Sequence, residues 1–306
     1  MQRSTFNKKF SLGLNMESPL NDVEFFLRTN ADLIDSVYFS IPLGTKFYSR
    51  TELKNSIEGE ESEQKLFYLL NVLDELGIKK ELAVNTYKLD ISDLYDTCTY
   101  LKNHNIIPDE IVCLEAYGKV LKKKYPNAEI KYSFNNPTVS DLDDFDTVVV
   151  GKEYLRNMEK RHELINQGKN VVLLLNNGCS FNCHYQCGDS KFCNSVLKET
   201  LKETTVNEVY ANQSFFPEEL RDILKYDIYA DNYRFKISNR PLSVEYSENV
   251  LASYISNKCG KDYICESKIN YGLFCTMLQL LKRIDDFDIT KIVEYKNSLR
   301  IKQFEK

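Results

Sequence analysis

Short apolar segments alternate with longer amphipathic segments along most of the chain. The short segments are rich in β-branched and aromatic residues, which is typical of buried strands. Their residues are 10–15, 36–41, 81–85, 110–115, 129–134, 147–150, 170–175 and 233–237. Predicted helices lie over 64–76, 91–103, 117–125, 156–167, 245–256 and 271–283. In the first of these, leucines recur at helical spacing and Gly77 follows as a stop.

Strands that alternate with helices indicate a parallel sheet, and eight strand segments favour a closed barrel. We therefore predict an α/β fold, a TIM-type (β/α)8 barrel over residues 1–257. A cysteine-rich loop at 176–194 follows strand 7, and residues 258–306 form a C-terminal helical extension packed on the barrel, with 285–306 expected to be a solvated helix or a frayed end. A doubly wound open sheet is the alternative, but the chain has no G-x-G-x-x-G after its first strand and no P-loop.

Composition narrows the function classes. The chain has 306 residues, of which 42% are hydrophobic and 28% charged, and its net charge is −5. These values indicate an ordered globular protein and argue against generic DNA binding, which needs a basic surface. We find neither a secretory signal nor an apolar run long enough to span a bilayer, so we expect a cytoplasmic protein.

Four of the nine cysteines lie close together in NNGCSFNCHYQCGDSKFCN, with the spacing C-x3-C-x3-C-x5-C. They are Cys179, Cys183, Cys187 and Cys193. Four thiolates around one point suit an iron–sulfur cluster or Zn²⁺. Structural zinc favours C-x2-C pairs, which are absent here, so the spacing favours iron–sulfur; redox-active thiols are the third alternative.

The other cysteines and a histidine have more modest roles in this hypothesis. His184 either lies beside the metal ligands or replaces one of the thiolates. Cys259 and Cys265 are a second pair, which could supply a ligand to the cluster from later in the chain. Cys113 and Cys275 lie in apolar runs, so we expect them to pack in the core.

Polar residues follow the predicted strands, at the end of a barrel where active sites lie. As substrate-binding residues we predict Asn15, Asn85, Asn135, Arg156 and Asn176. For any single asparagine, ending a strand is an equally good explanation. Lys236 and Arg240 would anchor an anionic group, and Glu115 would act as general acid or base. The structural alternative is an internal ion pair for Lys236, and for Glu115 a pair with Lys236 or Arg156.

Three segments resemble the peptidase U32 family, also called the collagenase-like protease family. They are VVLLLNNGCSFNCHYQC, SFFPEELRDIL and FKISNRPLSVEYSENVLASYI, which together cover roughly residues 147–256. In the third, Phe235, Lys236, Ile237, Arg240, Ser243, Tyr246, Val250 and Tyr254 fall on the family pattern, and Ser238-Asn239 replaces its Glu-Gly. The resemblance implies a TIM-type barrel that carries a [4Fe–4S] cluster on four cysteines.

Members of that family are associated with oxygen-independent hydroxylation. The resemblance therefore predicts an iron–sulfur enzyme of hydroxylation or redox modification that acts on a small or nucleotide-linked substrate, with a related barrel protein as a heterodimer partner. A U32-type peptidase is the first alternative, although the chain has three histidines and neither G-x-S-x-G nor H-E-x-x-H. A non-catalytic metal-binding scaffold for a partner protein is the second.

Overall fold

The eight predicted strands all form, and they pair in chain order into a closed parallel barrel in which β8 returns to β1. The structure is a computed structural model, and it describes residues 3–41, 60–85, 91–133, 142–150, 154, 156–176, 197–213, 215–237, 243–256 and 278–304. The strands are β1 Phe10–Gly13, β2 Ile34–Phe39, β3 Lys79–Val84, β4 Glu110–Cys113, β5 Glu129–Ser133, β6 Thr147–Val150, β7 Asn170–Leu174 and β8 Tyr233–Ile237. The predicted TIM-type barrel is confirmed, and the open sheet is excluded.

Helices surround the barrel. They are α1 Leu20–Asn30, α2 Glu60–Leu76, α3 Ile91–Asn103, α4 Glu115–Lys124, α5 Met158–Asn166, α6 Val206–Gln213, α7 Pro217–Tyr226, α8 Val244–Ile255 and α9 Ile289–Phe304. Single 3-10 turns lie at Arg3–Phe6, Ala230–Asn232 and Ile284–Asp286. The turn after α2 depends on Gly77, whose φ of 60° is the left-handed conformation that glycine adopts without strain.

The sequence pattern missed several features of this outer layer. α1, α6 and α7 have no counterpart among the predicted helices, and in α1 the exposed Phe25 interrupts the apolar stripe. α9 lies within the segment expected to be solvated or frayed, yet it buries Ile292 and Lys296 completely and contacts α6 and α7. Among the described residues no helix has the length and apolar character that a membrane span requires.

The strands present two different faces. Outward residues such as Phe10, Leu82, Val150 and Phe235 join the helices in one continuous apolar core. Inward residues form a separate interior, because successive side chains of a strand point to opposite faces. The upper part of this interior holds a small apolar cluster of its own, made of Ala83, Val112, Val149 and Val172 with Leu174 packed against it.

Candidate active site at the barrel mouth

The lower interior of the barrel, toward the amino ends of the strands, is filled with charge. We call this group of four carboxylates and four cations the charged network. Its members are Asp35, Lys79, Glu81, Glu110, Glu129, Lys131, Arg234 and Lys236. Glu81, Glu110 and Lys131 are each 1% exposed. A network this deeply buried is tolerable only because its opposite charges are paired.

Contacts within the network run from the base of the barrel upward. At the base, Arg234 lies 2.9 Å from Glu110 and also binds Glu129. Lys131 then bridges Glu110 and Glu81, with 2.7 Å from its Nζ to Glu81 Oε2. Glu81 in turn accepts from Lys236. The network thus extends from the amino-terminal face to the floor of the upper interior.

These pairings hold the carboxylates ionised. Burial alone would raise the pKa of Glu81, but Lys131 and Lys236 outweigh it and the pKa lies well below its usual range. For Glu129, burial is likewise outweighed by hydrogen bonds and charge from Arg234 and Lys131, which lower its pKa to about 2. Burial opposes the charge of Lys131, yet Glu81 and Glu110 raise its pKa. Groups whose pKa values are driven this far apart keep their charges near neutral pH, so the network holds fixed charges in the lumen.

Lys236 is the uppermost member of the network. Its ammonium group pairs with Glu81 and lies 4.2 Å from the centroid of the Tyr38 ring, a cation–π geometry. The internal ion pair foreseen as the alternative for Lys236 is therefore present. The residue is 7% exposed, whereas Glu81 below it is 1% exposed, so Lys236 is the less buried of the two.

Beside and beyond Lys236 the interior is lined by uncharged side chains, and we call this part of the lumen the mouth pocket. Its lining is Ala83, Asn85, Val112, Ser133, Val149, Val172 and Leu174. Ala83 is 8%, Ser133 7% and Val149 6% exposed, although all three point into the barrel. Valine and leucine are among the branched residues that usually fill a barrel interior, and Val112 and Val172 are each 1% exposed, so this part of the lumen is packed and only Ala83, Ser133 and Val149 keep a slight exposure.

Asn85 contributes the polar group of the pocket. Its Nδ2 donates to Ser133 Oγ at 3.2 Å, across the top of β4. Its Oδ1 is buried without a hydrogen-bond partner. An unpaired buried carbonyl costs about 1–3 kcal/mol. Ser36 Oγ, Glu218 Oε2 and Arg221 Nε are the other unpaired buried side-chain atoms in the described part of the chain. Of the predicted substrate-binding residues, Asn85 fits the role best.

Asn15 and Asn176 are tied instead to the helix that follows β8. Asn15 Oδ1 accepts from the Ser247 hydroxyl at 3.0 Å, and Asn176 Nδ2 donates to the Tyr246 hydroxyl at 3.1 Å. The two asparagines end β1 and β7, the strands on either side of β8. They hold the start of α8 against the mouth.

Arg156 lies in a second buried charge cluster, outside the barrel. Its Nε lies 3.2 Å from Glu219 Oε1, and its guanidinium carbon lies 4.8 Å from the centroid of the Phe215 ring. Glu219 also receives the Lys296 ammonium of α9 at 2.5 Å. Burial, with the charge of Arg156 acting in the same direction, lowers the pKa of Lys296 to about 7 although Glu219 opposes the shift. The structure thus brings Arg156 to the α7–α9 contact and not into the mouth pocket.

Glu115 is exposed in the first turn of α4, since β4 ends two residues earlier at Cys113. Its two foreseen partners form salt bridges with other carboxylates, Lys236 with Glu81 and Arg156 with Glu219. Cys113 is buried in the core as predicted. Several predicted residues lie outside the described part of the chain: Asn135, Arg240, Cys179, Cys183, Cys187, Cys193, His184, Cys259, Cys265 and Cys275.

Sequence reasoning overlooked the charged network apart from Lys236. The signal is present, because charged residues recur at every second position in otherwise apolar strands, as in EIK of β5 and RFK of β8. Alternation of this kind usually marks an outer, solvated face. In a closed barrel it marks the lumen. The described residues contain no group of three or more His, Cys, Asp or Glu arranged to hold a metal ion.

Comparisons with known proteins find similarity in structure but no matching family or curated sequence. A GH113 β-1,4-mannanase is 12% identical, with 91% of this chain and 99% of that chain covered and a TM-score of 0.44. N-acetylneuraminate lyase from Fusobacterium nucleatum is 13% identical over 98% of this chain and 100% of that one, with a TM-score of 0.41. An α-amylase from Lactobacillus plantarum is 10% identical, with 92% of this chain and 81% of that chain covered and a TM-score of 0.41. The structures that this chain resembles are mostly enzymes, and no residue role is carried over from them.

Proposed function

We propose that this chain is an iron–sulfur enzyme whose active site is the mouth of the barrel. It would hydroxylate a small or nucleotide-linked substrate without oxygen, or modify it by another redox step. One observation carries the proposal: Asn176 is buried at the carboxyl end of β7, and the chain reaches Cys179 three residues later. This position of Asn176 supports the proposal that the cysteine-rich segment serves a site at the mouth.

The donor set fits the proposed group. Cys179, Cys183, Cys187 and Cys193 supply four thiolates within one short segment, which matches the ligand requirement of a [4Fe–4S] cluster; Zn²⁺ is the alternative metal. When bound, a cluster supplies one-electron redox chemistry that amino-acid side chains lack.

The protein's own residues would bind and orient the substrate. Lys236, fixed by Glu81, would supply a positive charge, and the buried Asn85 amide would supply a polar group near it. The apolar cluster of Ala83, Val112, Val149 and Val172 excludes water from the substrate body.

The positions of two histidines count against a peptidase. His104 follows α3 and stacks on Tyr100 at 4.3 Å, and His162 of α5 binds Asp227 at 2.8 Å. Both lie in the outer helical layer and away from the mouth pocket. Within the described residues, no histidine base faces that pocket.

Metal analysis tests the cofactor. The protein would be purified without oxygen, its iron, sulfide and zinc measured, and its visible spectrum recorded. We expect about four irons per chain and a brown protein. Cys183→Ala should lose the iron, whereas Cys98→Ala, which alters a buried cysteine of α3, should keep it. A colourless, zinc-loaded protein would overturn the proposal.

Enzymatic action is tested in cells that lack the gene. Extracts of the deletion strain would be compared by mass spectrometry with extracts of strains carrying the wild type, Lys236→Met or Cys183→Ala. A compound that lacks one oxygen atom should accumulate in the deletion strain and in both variants. If no compound changes while Lys236→Met retains its iron, the protein is a scaffold.

A further inference from the structure

The two halves of α9 are attached to the rest of the protein by different kinds of contact. The turn before α9 is fixed to α6 by Asn207, which donates to the carbonyl of Asp286 at 3.2 Å and accepts from the backbone of Asp288 at 2.8 Å. In the second half of the helix the contact with α7 is ionic, because Lys296 binds Glu219. A change of pH therefore acts on the second half, while the first half stays attached.

The carboxylate of Glu219 is the centre of this ionic contact. It is 2% exposed, and its Oε2 accepts from the backbone of Phe216 at 2.7 Å and from Lys296 Nζ at 2.5 Å. Its Oε1 lies 3.2 Å from Arg156 Nε. One buried carboxylate thus holds a lysine of α9 and an arginine that precedes α5. The two cations repel each other across it.

Charges on three parts of the chain act on the ammonium group of Lys296. Glu219 and Glu218 of α7 attract it, and Arg156 repels it. α6 carries a single charged residue, Glu208, which accepts from the backbone at the start of that helix. Burial and the charge of Arg156 outweigh the carboxylates and lower the pKa of Lys296 from its ordinary value of 10.5 to about 7.

The neighbouring ion pair of α9 does not change its charge in this range. Arg300, one turn after Lys296, lies 2.6 Å from Asp222 of α7, and this pairing raises the pKa of its guanidinium group. Arginine side chains stay protonated in proteins. Lys296 is therefore the cation of the α7–α9 contact whose charge changes near neutral pH.

We propose that α9 is a pH-sensitive clasp, which closes on α7 when Lys296 is neutral and loosens when Lys296 is protonated. With a neutral Lys296, Arg156 and Glu219 form a balanced pair. With a protonated Lys296, the same buried carboxylate must hold two cations. A lysine released into water keeps its proton up to about pH 10, so raising the pH above 7 favours the docked helix. The clasp does not depend on the proposed cofactor.

The clasp is connected to the mouth of the barrel through Phe215. The backbone of Phe215 donates to the carbonyl of Leu175 at 2.6 Å, at the carboxyl end of β7. Its ring lies 4.8 Å from the guanidinium carbon of Arg156 and 5.9 Å from Lys296 Nζ. Loosening of α9 withdraws Lys296 from this group, so it relaxes the β7 side of the mouth.

Hydrogen exchange of the α9 amides tests the clasp. Exchange into the full-length protein would be followed by mass spectrometry between pH 6 and pH 9, and the protection of α9 corrected for the intrinsic exchange rate. We expect protection to rise about tenfold per pH unit above pH 7 and to level off below it, because one proton separates the docked and undocked forms. Protection that is independent of pH would overturn the proposal.

Variants of two lysines in the same helix locate the effect. Lys296→Met removes the titrating group, so the protection of α9 should no longer depend on pH. Lys291→Met is the matched control, since that side chain is 69% exposed, and it should keep the wild-type dependence. A slope that Lys296→Met leaves unchanged would refute the clasp.

A third variant decides the question if Lys296→Met does not fold by circular dichroism. Arg156→Met removes the repelling charge, which raises the pKa of Lys296. The rise in protection should then begin at a higher pH than in the wild type. An onset that stays near pH 7 would contradict the proposal.

Discussion

The lower and upper interiors of the barrel are made by the same eight strands, yet they are filled in opposite ways. Below, long charged side chains meet in pairs, and Glu81, Glu110 and Lys131 are almost completely shielded from solvent. Above, uncharged alanine, serine and valine side chains line the lumen, and the Asn85 oxygen has no partner. The comparison teaches that one end of the lumen is held together by paired charges and the other by apolar packing, with an unpaired polar atom at its edge.

The sharpest test of this division removes a cation from the charged network. Lys131→Met leaves Glu81 and Glu110 without their shared partner in a dry interior, and we expect a loss of about 3–5 kcal/mol in the free energy of unfolding. Lys79→Met is the matched control, since that side chain is 42% exposed and its pairs are worth about 1 kcal/mol or less. Urea unfolding measures both. Equal losses would show that the network does not support the fold.

Lowering the pH should destabilise the protein through the same charged network, in the lower half of the lumen. The pKa of Glu129 is depressed in the folded protein to about 2, so its contribution to stability is complete above the unfolded value of 4.5 and disappears as the pH falls toward 2. We expect a loss on the order of 3 kcal/mol over that range. Glu129→Gln should flatten the pH dependence, measured by urea midpoints. Glu115→Gln, at an exposed position, is the comparison, and a slope unchanged by Glu129→Gln would contradict this account.

Two adjacent valines of β6 distinguish the mouth pocket from the outer core. Val150 is completely buried against the helices, whereas Val149 borders the pocket and is 6% exposed. Val150→Ala should cost about 2 kcal/mol, and Val149→Ala about 1 kcal/mol, because water already reaches one side of it. Thermal unfolding of the two variants measures the difference. A larger loss for Val149→Ala would mean that the pocket is packed shut.

The smallest effect is expected at the polar edge of the pocket. Asn85→Leu removes an unpaired buried oxygen, so the free energy of unfolding should stay within about 1 kcal/mol of the wild type or increase. A loss of several kcal/mol in the same urea assay would show that Asn85 belongs to the supporting half of the lumen.

The strands and the barrel could be predicted because every strand carries a short apolar run, and TVVV of β6 was located to the residue. The contacts of the candidate site residues were harder to predict from the sequence. Asn15 and Asn85 both end strands, and only the structure distinguishes the one bound to Ser247 from the one that faces Ser133. The sequence indicates where a side chain lies along its strand. It does not indicate the hydrogen-bond partner, because that residue belongs to another strand or helix far along the chain.

The pairing of β8 with β1 also constrains how the protein is made. Lys9 donates to the carbonyl of Tyr233, a residue 224 positions later. At a synthesis rate of 5–20 residues per second, the edge of β1 leaves the ribosome roughly 10–45 s before its partner strand does. During that interval Phe10 and the open edge of the sheet are exposed to other nascent chains. A chaperone that covers the first strand of the growing polypeptide should therefore raise the yield of closed barrels more than one that acts after release.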